Sequence, residues 1–336
     1  SNKTMTKKWI YFIGIDVSKK TLDVYAYEQT QHIKIENGSK GFKALEKWFK
    51  EHNIDVSKAV VTFEFTGGYE FKLMQYLESK SIDYCRLPGL EIKNSMGMVR
   101  GKADKVDAKR IAKYSYQKKE ELKASNPINT AIVELKSLMN YRKKLVRENA
   151  GYKSSISERV EMFNVKKTDL IVKSSTKKIR ENEKLIKIVE AKMFEIIKAD
   201  ADMLLNYNLI TSIKGIGKVN AIITIVFTEN FTKFNDARKY AVYCGVIPFE
   251  NSSGTSLNGR KKVSHLANKN IKQELNQAAK AAMTYDEETI LYAERLKGKG
   301  KHYKVILNNI KFKLILRMFA VVHKKEMYVD MYKKTA

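Results

Sequence analysis

One long stretch that is rich in charged residues and poor in proline and glycine constrains the fold of the chain most. Between Pro127 and Asn206 the sequence has no further proline, a single glycine, and many charged residues around regularly spaced apolar ones. The apolar residues at heptad or intermediate spacing are Leu138, Leu145, Tyr152, Ile179, Ile186, Val189, Met193 and Ile196. This spacing predicts two long helices paired as a coiled coil, within the chain or between chains, with a turn near residues 164–175. We therefore expect a domain at 1–122, a helical connector at 123–207 and a second domain at 208–336.

The N-terminal part has the pattern of an α/β domain. Runs typical of β-strands occupy residues 9–18, 22–28, 32–37, 58–65 and 82–87. The first three follow one another directly, as in a meander, whereas segments with helical spacing precede and follow the fourth. This order predicts a mixed sheet flanked by helices.

The C-terminal part has mostly helical spacing, so the chain as a whole is predicted to be α/β plus α. A glycine-containing turn, Gly215 to Lys218, separates two helical patterns there. Because a turn leading into a helix presents backbone N–H groups that suit a phosphate, Lys214 and Lys218 are candidate nucleic-acid contacts. A plain connection between helices is the alternative. The Lys and Arg residues after about position 297 are likewise expected to line a nucleic-acid face.

The charge balance indicates the kind of partner. The chain has 64 Lys and Arg against 37 Asp and Glu, a formal net charge of +27. Such a surplus favours a polyanionic partner. An anionic membrane would be one, but no apolar run reaches the roughly 18 residues of a membrane span. Nucleic acid is therefore the expected partner, and no membrane is expected.

Cysteine and histidine usage argues against a zinc or disulfide scaffold. The two cysteines, Cys85 and Cys244, each lie in an apolar stretch, and the five histidines are scattered without zinc spacing. We expect buried thiols in a reducing cytosol. The first eight residues also lack the apolar core of a signal peptide, so a cytoplasmic location is expected.

Four acidic residues stand where a metal site could form. Asp16 closes the first predicted strand, Glu64 closes the fourth, and Asp104 and Asp107 lie three apart on a predicted helix. Carboxyl ends of neighbouring strands share one edge, so the first two acids could lie side by side and a docked helix could add the others. Four carboxylates require a cation, and hard oxygen ligands suit Mg²⁺ or Mn²⁺ acting on a phosphodiester. Taken singly, each acid could instead be a turn, cap or solvated helix residue.

A late loop combines hydroxyl groups with a basic run. The segment ENSSGTSLNGRKK, residues 250–262, has two adjacent serines before a glycine and ends in Arg260, Lys261 and Lys262. The basic residues are candidate nucleic-acid contacts. From the residues alone the loop is either a solvated turn or the site of a serine nucleophile.

Successive motifs along the chain resemble one family. GIDVSKKTLDV, FEFTGGYEFKLMQYL, RGKADKVDAKRIAKY, LITSIKGIGKVNAIITIV and FTKFNDARKYAVYCGVIPFENSSGTS occur in the order seen in the DEDD transposases of bacterial insertion sequences. That family includes RNA-bridged recombinases and some site-specific DNA invertases. The resemblance covers nearly the whole chain.

The resemblance implies a fold and a set of catalytic residues. The N-terminal domain would be RNase H-like, as in Holliday-junction resolvases, with Asp16, Glu64, Asp104 and Asp107 as ligands of Mg²⁺. The family serine directly precedes a glycine, a few residues after a Gly-x-x-Pro turn; here it corresponds to Ser253, and Ser252 is the fallback. Attack by this serine would give a covalent phosphoserine–DNA intermediate, which is recombination rather than hydrolysis.

The resemblance also implies partners: DNA, a structured guide RNA, and further copies of the chain in a dimer or tetramer, at the bacterial nucleoid. Three positions depart from the family pattern. Ala103 stands where threonine is common, and His265 and Ala267 stand where lysine and glycine are common. Two rival functions remain: a metal-dependent DNA junction nuclease whose serine loop only binds DNA, and a non-catalytic nucleic-acid-binding protein.

Overall fold

The chain forms two compact units, residues 1–128 and 129–336. The structure, a computed structural model, describes residues 9–65, 67–89, 91–92, 104–234, 236–253, 257–263 and 267–330, with only the backbone of 104–105, 249–253 and 257–262.

The first unit is built on a mixed five-stranded sheet. Its strands are β1 (Tyr11–Val17), β2 (Thr21–Ala26), β3 (Gln31–Glu36), β4 (Ala59–Glu64) and β5 (Asp83–Leu87). The spatial order is β3-β2-β1-β4-β5. The first three strands are antiparallel, whereas β1, β4 and β5 are parallel. The predicted meander followed by alternating helices and strands is confirmed.

Helices cover both faces of this sheet. Those of the first unit are α1 (Ser39–Glu51), α2 (Phe71–Ser79) and α3 (Asp104–Gln117). Because strand side chains alternate in direction, β1 supplies Ile13 and Ile15 to the core that contains Leu45 and Leu77 of α1 and α2. The opposite face of the sheet packs against α3.

Two long helices open the second unit, α4 (Thr130–Met162) and α5 (Leu170–Ala199). They pack against each other within the chain: Arg142 Nε donates to Glu190 Oε1 at 2.6 Å, and Asn182 Nδ2 donates to Asn149 Oδ1 at 3.0 Å. The predicted helix pair is therefore confirmed, while its supercoiling as a coiled coil stays a prediction. Their turn ends earlier than predicted, because Asp169 caps α5 by accepting bonds from the first backbone N–H groups.

The rest of the second unit is mostly helical. Its elements are α6 (Ala201–Thr211), α7 (Lys218–Thr228), α8 (Ala237–Tyr243), β6 (Phe249–Ser253), β7 (Leu257–Lys262), α9 (Lys269–Tyr285), α10 (Glu287–Gly298) and α11 (Tyr303–Lys324). Leu135 of α4 and Met193 of α5 share one core with Ile210 and Leu314. The boundary predicted at 207/208 thus falls inside α6, and a separate connector domain stays a prediction. Within the described ranges, no helix is both long enough and apolar enough to cross a membrane.

Candidate active site

Two predicted acids are neighbours at one edge of the sheet. Strands β1 and β4 run parallel with Ile15 opposite Phe63, so the next residue of each strand, Asp16 and Glu64, stands beside the other. This is the carboxyl edge of the two central parallel strands, the usual position of sites in open α/β sheets. Asp16 is half-buried and Glu64 is exposed.

Helix α3 lies on the same side of the sheet as these acids. A Cβ placed on Gly14 would come within 2.3 Å of both Ala108 O and Ala112 N, so the α3 backbone rests directly on β1. Next to it, the Oγ1 of Thr62 and the Oγ of Ser115 are 2.7 Å apart. Alternate strand residues share a face. The acids two positions beyond Gly14 and Thr62 therefore lie on the α3 side.

The other two predicted acids begin this helix. Asp104 is its first residue, and Asp107 directly precedes Ala108, the residue in contact with β1. The Asp107 carboxylate accepts a bond from Arg110 Nη1 at 2.8 Å. The side chain of Asp104 lies outside the described set.

The described acids do not by themselves form a closed metal-binding cluster. Of the His, Cys, Asp and Glu side chains that the structure describes, no three come close enough to hold an ion together. The structure brings Asp16 and Glu64 side by side and lays the start of α3 on their face of the sheet. All four predicted ligands are carboxylates, a donor set that fits Mg²⁺ or Mn²⁺. Asp107 would have to exchange its bond to Arg110 for a metal ion.

The Glu64 carboxylate lies across a glycine that the sequence analysis did not single out. A Cβ at Gly89 would be 1.5 Å from Glu64 Oε1 and 2.2 Å from its Cδ. The Glu64 carboxylate therefore occupies the space that a side chain at position 89 would fill. A glycine directly after Pro88 was a weak signal, because glycines also occur there for turn geometry alone.

A further buried acid faces Asp16. In the antiparallel register of β1 and β2, Asp23 stands opposite Asp16 and is only 4% exposed. Its two oxygens are bonded by His32 Nε2 and Lys34 Nζ, each at 3.0 Å. The Lys34 ammonium group offsets a negative charge that would otherwise repel the Asp16 carboxylate. An aspartate within the apolar run of β2 was the signal in the sequence.

The predicted serine lies on the hairpin formed by β6 and β7. Ser252 is paired with Asn258, and Ser253 with Leu257 at the end of β6. The side chains of both serines, and those of the predicted contacts Arg260, Lys261 and Lys262, lie outside the described set, as does residue 265.

The base of this hairpin is tightly packed. Gly245 has a φ of +68°, and a Cβ there would be 2.5 Å from the Cβ of Ala267 and 3.0 Å from Val263 Cγ1. The segment that leads into the hairpin and the segment that leaves it therefore meet at Gly245. This glycine is the first residue of the Gly-x-x-Pro turn singled out in the sequence.

The predicted contacts at the other glycine turn have different surroundings. Lys214 Nζ bonds Asp330 Oδ2 at 2.5 Å, and this bond raises the pKa of the lysine. Lys218 is exposed at the first position of α7. Gly215, with φ +93°, packs against the backbone and side chain of Ala282, which explains this glycine by helix packing. Contact of the two lysines with nucleic acid stays a prediction.

Some C-terminal basic residues are bound to acids of the same unit. Arg317 bonds Asp286 at 2.7 Å and Glu288 at 2.5 Å, and Lys313 bonds Glu288 at 3.0 Å. Asp286 is fully buried. These two cations therefore stabilise the packing of α10 on α11, in contrast to the nucleic-acid face expected for the basic residues of this region.

Both cysteines are free and buried. Burial raises the pKa of Cys85 and of Cys244 to about 12. Each thiol stays protonated at neutral pH and is a poor nucleophile, which confirms the expectation of buried thiols.

Two family models, both of transposases, match the chain in order along its length. Residues 13–161 match the model of a DEDD transposase domain, and residues 207–294 match the transposase IS116/IS110/IS902 family. Together the matches cover more than two thirds of the chain, and they include the acidic strand edge and the serine hairpin.

Similar proteins support the same assignment. Pilin gene-inverting proteins of Moraxella bovis and Moraxella lacunata are each 25% identical over 322 residues, which is 93% of this chain and 95% of theirs. The insertion element IS110 uncharacterized 43.6 kDa protein of Streptomyces coelicolor is 28% identical over 120 residues, 36% of this chain and 29% of that protein. The matches and the motifs agree, and this chain is a DNA transposase that belongs to the IS116/IS110/IS902 family.

Proposed function

We propose that the enzyme cuts and rejoins DNA with two devices, a divalent-metal site in an RNase H-like domain and Ser253 as the nucleophile. The observation that carries the proposal is the pairing of Asp16 and Glu64 at the carboxyl edge of β1 and β4, under a helix that begins with two more acids. The close approach of α3 at Gly14 supports it, because only a glycine in β1 lets that helix rest so near the acidic edge.

The residues then have separate tasks. Asp16, Glu64, Asp104 and Asp107 would hold Mg²⁺ or Mn²⁺, which when bound would polarise the scissile phosphate and stabilise the leaving oxygen. Ser253 Oγ attacks the phosphorus, a P–O bond to the serine forms, and the bond to the departing DNA oxygen breaks. The serine proton is released and the departing oxygen ends as a hydroxyl. Attack by a second DNA hydroxyl on the phosphoserine reverses these changes, so the strands are rejoined without loss of bond energy.

The partners follow from the charge and the relatives. The net charge of +27 supports binding of DNA and of a structured guide RNA. The gene-inverting relatives support site-specific recombination. Exposed apolar side chains at the α4–α5 turn, Met162, Phe163 and Leu170, support assembly into a dimer or tetramer. Work on DNA would take place in the cytoplasm, at the bacterial nucleoid.

The covalent intermediate tests the proposal. The protein is incubated with labelled DNA and Mg²⁺, denatured, and examined for protein-linked label. We expect an adduct from the unmodified protein and from Ser252→Ala, and none from Ser253→Ala, although Ser253→Ala should still bind DNA. An adduct that survives in Ser253→Ala and disappears in Ser252→Ala would assign the nucleophile to the other serine.

The second candidate is a metal-dependent junction nuclease whose hairpin only binds DNA. The acidic edge of the sheet favours this nuclease equally, because such a nuclease needs no serine nucleophile. Free 5′-phosphate ends without any adduct from the unmodified protein would establish the nuclease. Binding without any cleavage would instead indicate a non-catalytic protein. Sequencing the RNA that copurifies with the protein from its host tests the guide.

A further inference from the structure

One lysine is buried in the second unit without a counterion. Lys311 of α11 is only 3% exposed. No carboxylate pairs with it among the described residues, in contrast to Lys313 and Arg317 on the same helix. An ammonium group removed from water is unfavourable unless an anion or several acceptors compensate it.

A second lysine lies close to the first. Lys272 of α9 is half-buried, and the residues that precede the two lysines, Ile271 and Ile310, pack in one buried core. Burial, with a smaller contribution from the charge of Lys272, lowers the pKa of Lys311 to about 8. Burial also lowers the pKa of Lys272. Within the described part of the chain, no acid pairs with Lys272 either. Two like charges held together in this way are the arrangement that a bound anion would stabilise.

Both lysines lie at the base of the serine hairpin. The Cδ of Lys272 is 3.8 Å from the position of a Cβ on Gly245. One turn before Lys311 on α11, Asn308 donates a hydrogen bond to the carbonyl of Val246. The residue that leads into the hairpin is thus fixed between the helices that carry the two lysines.

We infer that Lys272 and Lys311 form a binding site for one backbone phosphate of the nucleic acid, at the base of the β6–β7 hairpin. This inference rests on the proposed function, because the hairpin carries the proposed nucleophile. A phosphate seated there would fix the position of the bound strand relative to the hairpin. The two lysines are positioning residues, since β6 separates them from Ser253.

A phosphate fits this site better than a protein carboxylate. The half-buried Lys272 leaves the pair open to solvent on its side, as a ligand requires. Lysine is a common phosphate ligand as a compact point charge. An enzyme of a transposase family meets phosphodiesters at high local concentration along DNA.

The test compares two double variants of the full-length protein. Lys272→Met with Lys311→Met removes the proposed site, and the control, Lys187→Met with Lys280→Met, removes two exposed lysines elsewhere in the same unit. Binding of a labelled DNA duplex is measured by anisotropy over a range of salt concentrations. We expect the site variant to bind at least several-fold more weakly than the control, with a salt slope lower by about 1, the contribution of one phosphate contact. Equal affinity and slope in the two variants would overturn the inference.

A footprint gives a second readout that does not need the variants to fold. The unmodified protein is acetylated at its lysines with and without the duplex, and the products are identified by mass spectrometry. We expect the duplex to protect the half-buried Lys272, while the exposed Lys280 on the same helix stays reactive. Unchanged acetylation of Lys272 would overturn the site. Absence of any covalent DNA adduct would refute the proposed chemistry and leave these binding results standing, so the two failures are distinguishable.

Discussion

Replacing Gly89 with alanine should misplace the Glu64 carboxylate without unfolding the protein. The new Cβ would lie 1.5 Å from Glu64 Oε1, whereas Cβ atoms essentially never approach another atom closer than 3.0 Å. The carboxylate must therefore retreat by about 1.5 Å, and a misplacement of about 1 Å at a reacting centre can cost roughly 100-fold in rate. We expect the rate of Mg²⁺-dependent strand cleavage to fall at least about 100-fold.

The stability of this variant should change little. Glu64 is exposed, so its side chain can rotate toward solvent. Alanine also restricts the unfolded chain, which favours folding by roughly 0.4–1 kcal/mol where the backbone conformation allows it. The melting temperature should therefore stay close to that of the unmodified protein.

Two controls make the experiment decisive. Gly38→Ala in the same unit meets nothing nearer than 3.6 Å and should retain cleavage. In a protein that already has Glu64→Gln, adding Gly89→Ala should lower the cleavage rate almost no further, because the two changes act on one side chain. Normal cleavage by Gly89→Ala, or a loss that is independent of Glu64, would refute the role given to this carboxylate.

Three further outcomes are expected. Asp16→Ala and Asp107→Ala should each abolish strand cleavage and leave the melting temperature unchanged, because loss of one ligand displaces the ion. Near-normal cleavage by both variants would refute the assignment of these acids as metal ligands. Binding of DNA or RNA should weaken steeply between low and moderate salt, through counterion release, and a flat titration would contradict a phosphate-binding surface. Lys311→Met should raise the free energy of unfolding at pH 7 by up to about 3 kcal/mol, the equivalent of a pKa lowered from 10.5 to about 8. The native state loses this proton first as pH rises from 8 to 10.5, so the advantage of the variant should shrink over that range; denaturation curves at pH 7 and pH 10 with equal differences would contradict it.

The sheet and its acidic edge could be predicted because both depend on local pattern. Apolar runs identify β1 and β4, and an acid at the end of each strand must reach the same edge once the strands pair in parallel. The close approach of Glu64 to Gly89 could not be predicted, since it depends on a tertiary contact that leaves no periodic signal. The same holds for Lys311, whose position in a basic helix resembles that of its paired neighbours until α9 packs against it.

The paired asparagines of the long helices have a consequence for how such enzymes can vary in size. Asn149 and Asn182 bond to each other between two otherwise mostly apolar helix faces, so sliding either helix by a residue would break this bond. Adding seven residues to each helix beyond this bond keeps the pairing and moves the turn outward by about 10 Å, at about 1.5 Å per residue. The length of the α4–α5 helix pair can thus change in steps of seven residues while the core of the second unit stays the same. Related proteins could therefore span different distances without any change in their catalytic residues.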